Sequence, residues 1–290
     1  MSADRRARLN GVDVVYREIG EGPLVICLHG FPDSPDTWAD AARQIASDGY
    51  RVVSPFLRGY GPAGSASDGC YMAWAGAEDI AALIGHLGEK QARLIGHDCG
   101  ASVAHAVAAV HPELVSQLVT MSVPHGRALF SALVSDQAQQ RRSWYVFFFL
   151  SPLAELGLQH DDYALIERLW KDWSPGHAVP MDHVRSVKAM FSEGETLKNA
   201  LSFYRQTHLP SHTQTGWAAA ADRARAMISV PTLYLHGAND NCIGATVSEG
   251  VDQMFTGPFR RVLVPKAGHF PHLENPQFFV EEVRRFFASA

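Results

Sequence analysis

Asp98 stands at the centre of Gly96-His97-Asp98-Cys99-Gly100, between the apolar run Leu94-Ile95 and the alanine- and valine-rich stretch from Ala101 to Val110. The run reads as the end of a buried strand and the stretch as a helix. A small-x-X-x-small turn between such elements holds its middle residue on a sharp corner where only glycine-sized neighbours avoid a clash. The middle side chain is lifted above the sheet, over the positive end of a helix. In the serine version of this turn the middle residue is an alcohol; an aspartate there is a carboxylate able to attack carbon and form an ester. A nucleophile so placed needs an acid and a histidine, arriving later in that order. Asp240, in Gly237-Ala238-Asn239-Asp240, and His269, in Ala267-Gly268-His269-Phe270, supply them. Asp240 alone reads equally as a helix N-cap, and His269 is one of fourteen histidines. In order, each just beyond a strand, Asp98, Asp240 and His269 make a catalytic triad.

The elements that must position these residues alternate along the chain. Strands are expected at Val12–Ile19, Leu24–Leu28, Arg51–Ser54, the stretch ending at Ile95, Gln117–Ser122, Leu233–Leu235 and Arg261–Val264. Helices are expected at Pro35–Ala46, Met72–Leu87, Ala101–Val110 and Pro276–Phe287. Leu24-Val25-Ile26-Cys27-Leu28 is continuously apolar, as suits a strand buried on both faces. The alternation predicts an α/β fold with a mostly parallel central sheet flanked by helices. Right-handed crossovers bring the strand-to-helix loops, His29–Pro32 and Asp98 among them, to one edge. From about Pro124 to Trp217 no core strand is evident and aromatic residues are dense. That stretch is expected to form an inserted helical cap, residues 124–216, on a core of residues 1–123 and 217–290.

The 290 residues are 47% hydrophobic and 19% charged, an ordinary composition for a soluble globular chain. A formal net charge of -5 argues against a nucleic-acid or anionic-membrane surface. No apolar stretch approaches the ~18 residues of a membrane span, so no membrane insertion is expected. Met1–Arg8 has no apolar core of a secretory signal, so a cytoplasmic location is expected. Cys27, Cys70, Cys99 and Cys242 show no C-x-x-C spacing and read as free thiols. His208 and His212 have the spacing of helical metal ligands, but Pro210 between them breaks the helix, so no metal is expected.

Over essentially its full length the sequence resembles the α/β-hydrolase superfamily, and within it the epoxide hydrolase branch. That branch carries an aspartate nucleophile in a G-H-D-x-G elbow and an H-G-F-P loop, here His29-Gly30-Phe31-Pro32. Its members present two cap tyrosines to the epoxide oxygen. Trp144-Tyr145-Val146-Phe147-Phe148-Phe149-Leu150-Ser151-Pro152 is similar to the first tyrosine segment and Ser202-Phe203-Tyr204-Arg205 to the second, implying those roles for Tyr145 and Tyr204. The resemblance implies an oxyanion hole from the N–H groups of Phe31 and Cys99. It also implies a small apolar epoxide and water as reactants, a vicinal diol as product, and no cofactor. Trp38, Phe31 and Phe270 are candidates for the apolar pocket lining. Arg58-Gly59-Tyr60-Gly61 resembles the family's R-G-x-G turn, with Phe56 where aspartate is usual. A homodimer is left open.

Two rival readings remain. Haloalkane dehalogenases share the aspartate, acid and histidine set but typically follow the nucleophile with tryptophan, where this chain has Cys99, a weak donor. Haloacid dehalogenases of the fluoroacetate type usually place arginines just after the elbow to grip a carboxylate, where this chain has Ala101, Ser102 and Val103. The other rival is a ligand-binding protein that kept the fold and lost turnover, since fold does not fix function.

Overall fold

The computed structural model describes residues 4–209, 212, 214 and 217–289. Its eight-stranded sheet runs in the order β1-β2-β4-β3-β5-β6-β7-β8. The strands are β1 (Arg5–Leu9), β2 (Val12–Ile19), β3 (Leu24–Leu28), β4 (Arg51–Pro55), β5 (Ala92–His97), β6 (Val115–Met121), β7 (Thr232–Gly237) and β8 (Phe259–Val264). β1 and β2 pair antiparallel, as do β2 and β4, while every pairing from β4 through β3 to β8 is parallel. The sheet is thus mixed and mostly parallel, as the alternation predicts.

The two-residue period of the strands sorts their side chains into two cores. Ile26, Leu28, Leu94 and Leu118 enter one apolar cluster, together with residues of α2 (Ala73–His86) and α3 (Cys99–Val110). Val25, Cys27, Ile95 and Val119 face the other way, against α1 (Ala39–Ser47) and α12 (Pro276–Phe287), which follows the short α11 (Pro271–Glu274). Both faces are therefore covered, which is why β3 is apolar without interruption. The expected helix from Pro35 is divided: Pro35–Trp38 forms a 3-10 turn whose N-cap is Ser34, and α1 follows it.

Between β6 and β7 the described residues form helices and no strand: α4 (Ala128–Ser135), α5 (Gln137–Arg142), α6 (Trp144–Phe149), α7 (Ala154–Trp173), α8 (Met181–Ser192), α9 (Thr196–His208) and α10 (Trp217–Arg223). α7 is two segments joined at a kink, with positive φ from Asp161 to Tyr163. Tyr145, Phe149, Trp170, Trp173 and Leu197 of this insertion share one cluster with Leu28, Leu94 and Val103 of the sheet and α3. The insertion is thereby fastened by apolar burial to the α2/α3 face. Arg58 anchors the turn after β4, gripping Asp79 of α2 with Nε and Nη2 at 2.7 and 2.9 Å. Phe56, in place of the usual aspartate, lies under the Arg17 guanidinium at 5.4 Å from the ring centre.

Candidate active site

The residues singled out for chemistry converge because β3, β5, β7 and β8 are parallel and all end at one edge. Asp98 follows β5 directly, with φ 52° and ψ -120°. Positive φ is sterically disfavoured for a non-glycine residue and marks a strained corner. The neighbours permit it only because they lack side chains. A Cβ on Gly100 would lie 2.3 Å from the Leu28 carbonyl oxygen, and one on Gly30 would lie 2.4 Å from the Asp98 Cβ.

Asp98 Oδ1 accepts a hydrogen bond from the Phe31 N–H at 2.8 Å. The Cys99 N–H, in the first turn of α3, has no intrahelical acceptor. Asp98 Oδ2 faces His269 Nε2 at 3.5 Å, and His269 Nδ1–H donates to Asp240 Oδ2 at 2.9 Å. Asp240 Oδ1 in turn accepts from the N–H groups of Cys242 and Ile243 at 2.8 and 2.9 Å, which fixes the carboxylate. All three side chains of the expected triad are buried and in sequence contact.

Electrostatics follow from this geometry. Burial alone would raise Asp98, but His269, His97 and the Phe31 N–H bring it down to about 2, so it is a carboxylate at any working pH. Asp240 is held well below the usual carboxylate range, burial being outweighed by His269 and His236. Burial disfavours a charged His269, yet neighbouring Cys242, then Asp240 and Asp98 on its two nitrogens, hold it well above the ordinary histidine value. Its Nε2 makes no hydrogen bond among the described residues.

A cavity of about 350 Å³ opens over Asp98 and is lined by Cys99, Tyr145 and Tyr204. Tyr145 and Tyr204 come from α6 and α9, their rings edge to face at 6.3 Å. Burial, and after it the charge of nearby acidic groups, raises both phenols well above their ordinary value, so both are protonated donors. The Tyr145 hydroxyl lies 3.2 Å from Cys242 Sγ, and Cys99 Sγ lies 3.9 Å from the Tyr204 hydroxyl.

Two expected pocket residues are placed elsewhere. Trp38 ends the 3-10 turn that leads into α1, so it is carried to the opposite face of the sheet, stacked on His272 at 4.5 Å. Phe270 stacks on Trp170 at 3.7 Å and meets His269 edge-on at 5.2 Å, outside the cavity wall. Phe31 contributes its N–H, while its ring packs on Phe149, Phe191 and Tyr204.

Other supports escaped the sequence reading. His97 Nε2–H and the Ser122 hydroxyl both donate to the His269 carbonyl oxygen at 2.8 Å. Burial and neighbouring His269 push His97 down to about 4, leaving it neutral in that role. Glu274 accepts from the N–H groups of Gly268 and Phe270, on either side of His269. His97 is adjacent to Asp98 in the elbow and could have been singled out; the contacts of Ser122 and Glu274 have no local signature.

Comparison with known proteins agrees with this geometry. Residues 23–276 match the family model described as alpha/beta hydrolase fold. The chain belongs to the α/β-hydrolase fold family. Within that family, this α/β hydrolase is 29% identical to epoxide hydrolase 3 of Xenopus tropicalis, over 97% of this chain and 76% of that one. It is 28% identical to epoxide hydrolase A of Mycobacterium tuberculosis, over 94% and 93% of the two chains. A solved structure of a putative epoxide hydrolase from Klebsiella pneumoniae superposes with a TM-score of 0.87 at 29% identity, covering 98% of this chain and 96% of that one. The protein is an epoxide-hydrolase-like α/β hydrolase. No helix among its described residues is long and apolar enough to cross a membrane.

The insertion of this α/β hydrolase is also pinned to the loop that carries Phe31. His183 of α8 donates from Nε2 to Asp33 Oδ1 at 2.6 Å, and the Trp170 indole donates to the Pro32 carbonyl at 3.0 Å. Burial lowers His183, but the adjacent Asp33 charge and hydrogen bond, with help from Asp36, leave it raised. A raised histidine contributes its stability fully below the unfolded value, ~6.5, and loses it as pH rises through the folded one. Wild type should therefore exceed His183→Gln in unfolding free energy by on the order of 1–3 kcal/mol at mildly acid pH. The gap should narrow toward alkaline pH. Thermal or urea unfolding of both proteins across pH checks this, and a constant gap would contradict it.

Proposed function

We propose that the protein is an epoxide hydrolase that converts an epoxide with an apolar body to a vicinal diol through an alkyl ester on Asp98. The observation that carries this reading is an aspartate, in place of serine, on the elbow of a cavity lined by two protonated phenols. In this reading residues 124–216 are a cap over a core of residues 1–123 and 217–290.

Asp98 Oδ1 is engaged by the Phe31 N–H, so Oδ2 is the attacking oxygen. Oδ2 bonds to one ring carbon, the carbon–oxygen bond of the strained ring breaks, and the oxygen leaves as an alkoxide that takes a proton from Tyr145 or Tyr204. Ester formation removes the Asp98 charge from His269. With that hold weakened, the imidazolium passes its proton, through solvent, to the tyrosinate left by ring opening, and the neutral imidazole becomes the base for the second step. His269, oriented by Asp240, takes a proton from water that attacks the ester carbonyl. The tetrahedral oxyanion forms at Oδ1, against the N–H groups of Phe31 and Cys99. Collapse expels the diol oxygen, which takes that proton back from His269, and the acid proton left on Asp98 passes to His269, restoring carboxylate and imidazolium. An ether on serine has no carbonyl for water to attack, which is why the chemistry requires aspartate.

The test is the intact mass of a His269→Gln variant exposed to aryl and aliphatic epoxides and to haloalkanes. A gain equal to the whole epoxide, mapped to Asp98, is expected. A gain of an alkyl group without halogen would make the enzyme a dehalogenase, and no adduct from any compound would leave a binding protein.

A further inference from the structure

We infer that the substrate carries, beyond its epoxide and apolar body, a carboxylate that Arg225 receives in the same cavity. This rests on the epoxide hydrolase reading and names the class of epoxide that fits. The cavity wall is not uniform in character. It passes apolar Trp74, Leu129 and Phe203 and takes in Arg127, Arg225, His105, His125 and His208. Among the described lining residues Asp98 is the only carboxylate, and it is committed to the nucleophilic step. The cationic side of the wall therefore has no anion of its own inside the cavity.

Nor, among the described residues, is its charge balanced outside. Arg225 Nη1 and Arg127 Nη2 approach one and the same oxygen, Asp222 Oδ1, at 3.6 and 3.8 Å. Neither separation is a hydrogen-bonded ion pair, and a single carboxylate shared by two guanidiniums leaves one positive charge in excess. Arg225 is the inner member, its side chain 36% exposed against 77% for Arg127. Its segment is held in place: His125 Nε2–H donates to the carbonyl of Ala226, the next residue, at 2.8 Å. The charge of Arg225 also adds to burial in pushing His125 and His208 down. With those imidazoles neutral, Arg225, only loosely engaged by Asp222, is the inner group of this wall left to answer an anion. A planar guanidinium matches a carboxylate with two parallel hydrogen bonds.

The experiment uses terminal epoxides bearing a distal carboxylate on a graded series of methylene tethers, each paired with its uncharged primary amide. At the best tether length the wild-type enzyme should prefer the acid to the amide by roughly 10- to 100-fold in kcat/KM. The preference should lie mainly in KM and shrink with added salt. Arg225→Gln should bring the ratio close to one, and Arg225→Lys should retain part of it. Equal turnover of acid and amide at every tether length would overturn the inference, as would an Arg225→Gln loss shared equally by both. Dissociation constants of the same pairs, measured on an Asp98→Asn variant by tryptophan fluorescence, separate this inference from the chemistry. Tighter binding of the acid, erased by adding Arg225→Gln, upholds the subsite even if no epoxide is hydrolysed. Equal binding, or none, overturns it whatever the chemistry proves to be.

Discussion

Replacing Asp98 by alanine should abolish diol formation, with a loss on the order of 10⁶-fold in kcat, the scale seen when a covalent nucleophile is removed. No mass adduct should form even when His269 is also replaced. The elbow makes alanine an imperfect probe, because position 98 holds φ at 52° and non-glycine residues resist that region. Asparagine tolerates positive φ better and keeps an acceptor for the Phe31 N–H, so Asp98→Asn separates chemistry from fold. It should unfold near the wild-type temperature and still give no ester. Asp98→Asn also removes one of the two negative groups facing His269, so the imidazole should titrate at lower pH than in wild type, visible in the histidine NMR resonances. That downward shift is the one the mechanism assigns to the ester intermediate. Wild-type diol formation in both variants would refute Asp98 as nucleophile, and an unmoved His269 titration would remove the account of how the base is switched on.

What the sequence discloses about this site is what lies close together along the chain. Asp98, Asp240 and His269 each sit in a short glycine-containing stretch just beyond a strand, and their order is a one-dimensional property. Contacts made by tertiary packing have no such trace. Cys242 meets Tyr145 across 97 positions, and Ser122 reaches the His269 carbonyl across 147. Trp38 shows how nearness in sequence misleads. It closely follows the His29–Pro32 loop, but one 3-10 turn carries it to the α1/α12 face. β1 is silent for another reason. Arg5-Arg6-Ala7-Arg8-Leu9 is an edge strand with mostly exposed side chains, so it carries no apolar alternation to betray it. Arg225 likewise gains meaning only where the chain returns from the helical insertion to the sheet, beside His125.

The two phenols carry the second large effect. Opening an epoxide by carboxylate attack leaves an alkoxide, far too basic to depart into an apolar cavity without a proton. Asp98 is itself negative and buried, so no nearby carboxylic acid can supply that proton. Tyr145 and Tyr204 line the cavity with it as protonated phenols, far more acidic than the aliphatic hydroxyls of Ser102 and Thr207. Changing either to phenylalanine preserves the ring packing, including the contacts of Tyr204 with Phe31 and Phe149 at 5.5 and 5.1 Å. Each single change should slow ester formation, and the double change should slow it by roughly 10²- to 10⁴-fold, the usual range for a positioned proton donor. Ester hydrolysis should be much less affected, because its proton moves through His269 and its oxyanion lies at the Phe31 and Cys99 N–H groups. Single-turnover kinetics distinguish the two steps. In the tyrosine variants the adduct should build slowly and never accumulate, the reverse of His269→Gln, where it builds quickly and persists. A Tyr145→Phe/Tyr204→Phe enzyme that alkylates Asp98 at the wild-type rate would show that the alkoxide finds its proton elsewhere, and the cap would be left with a role in shape alone.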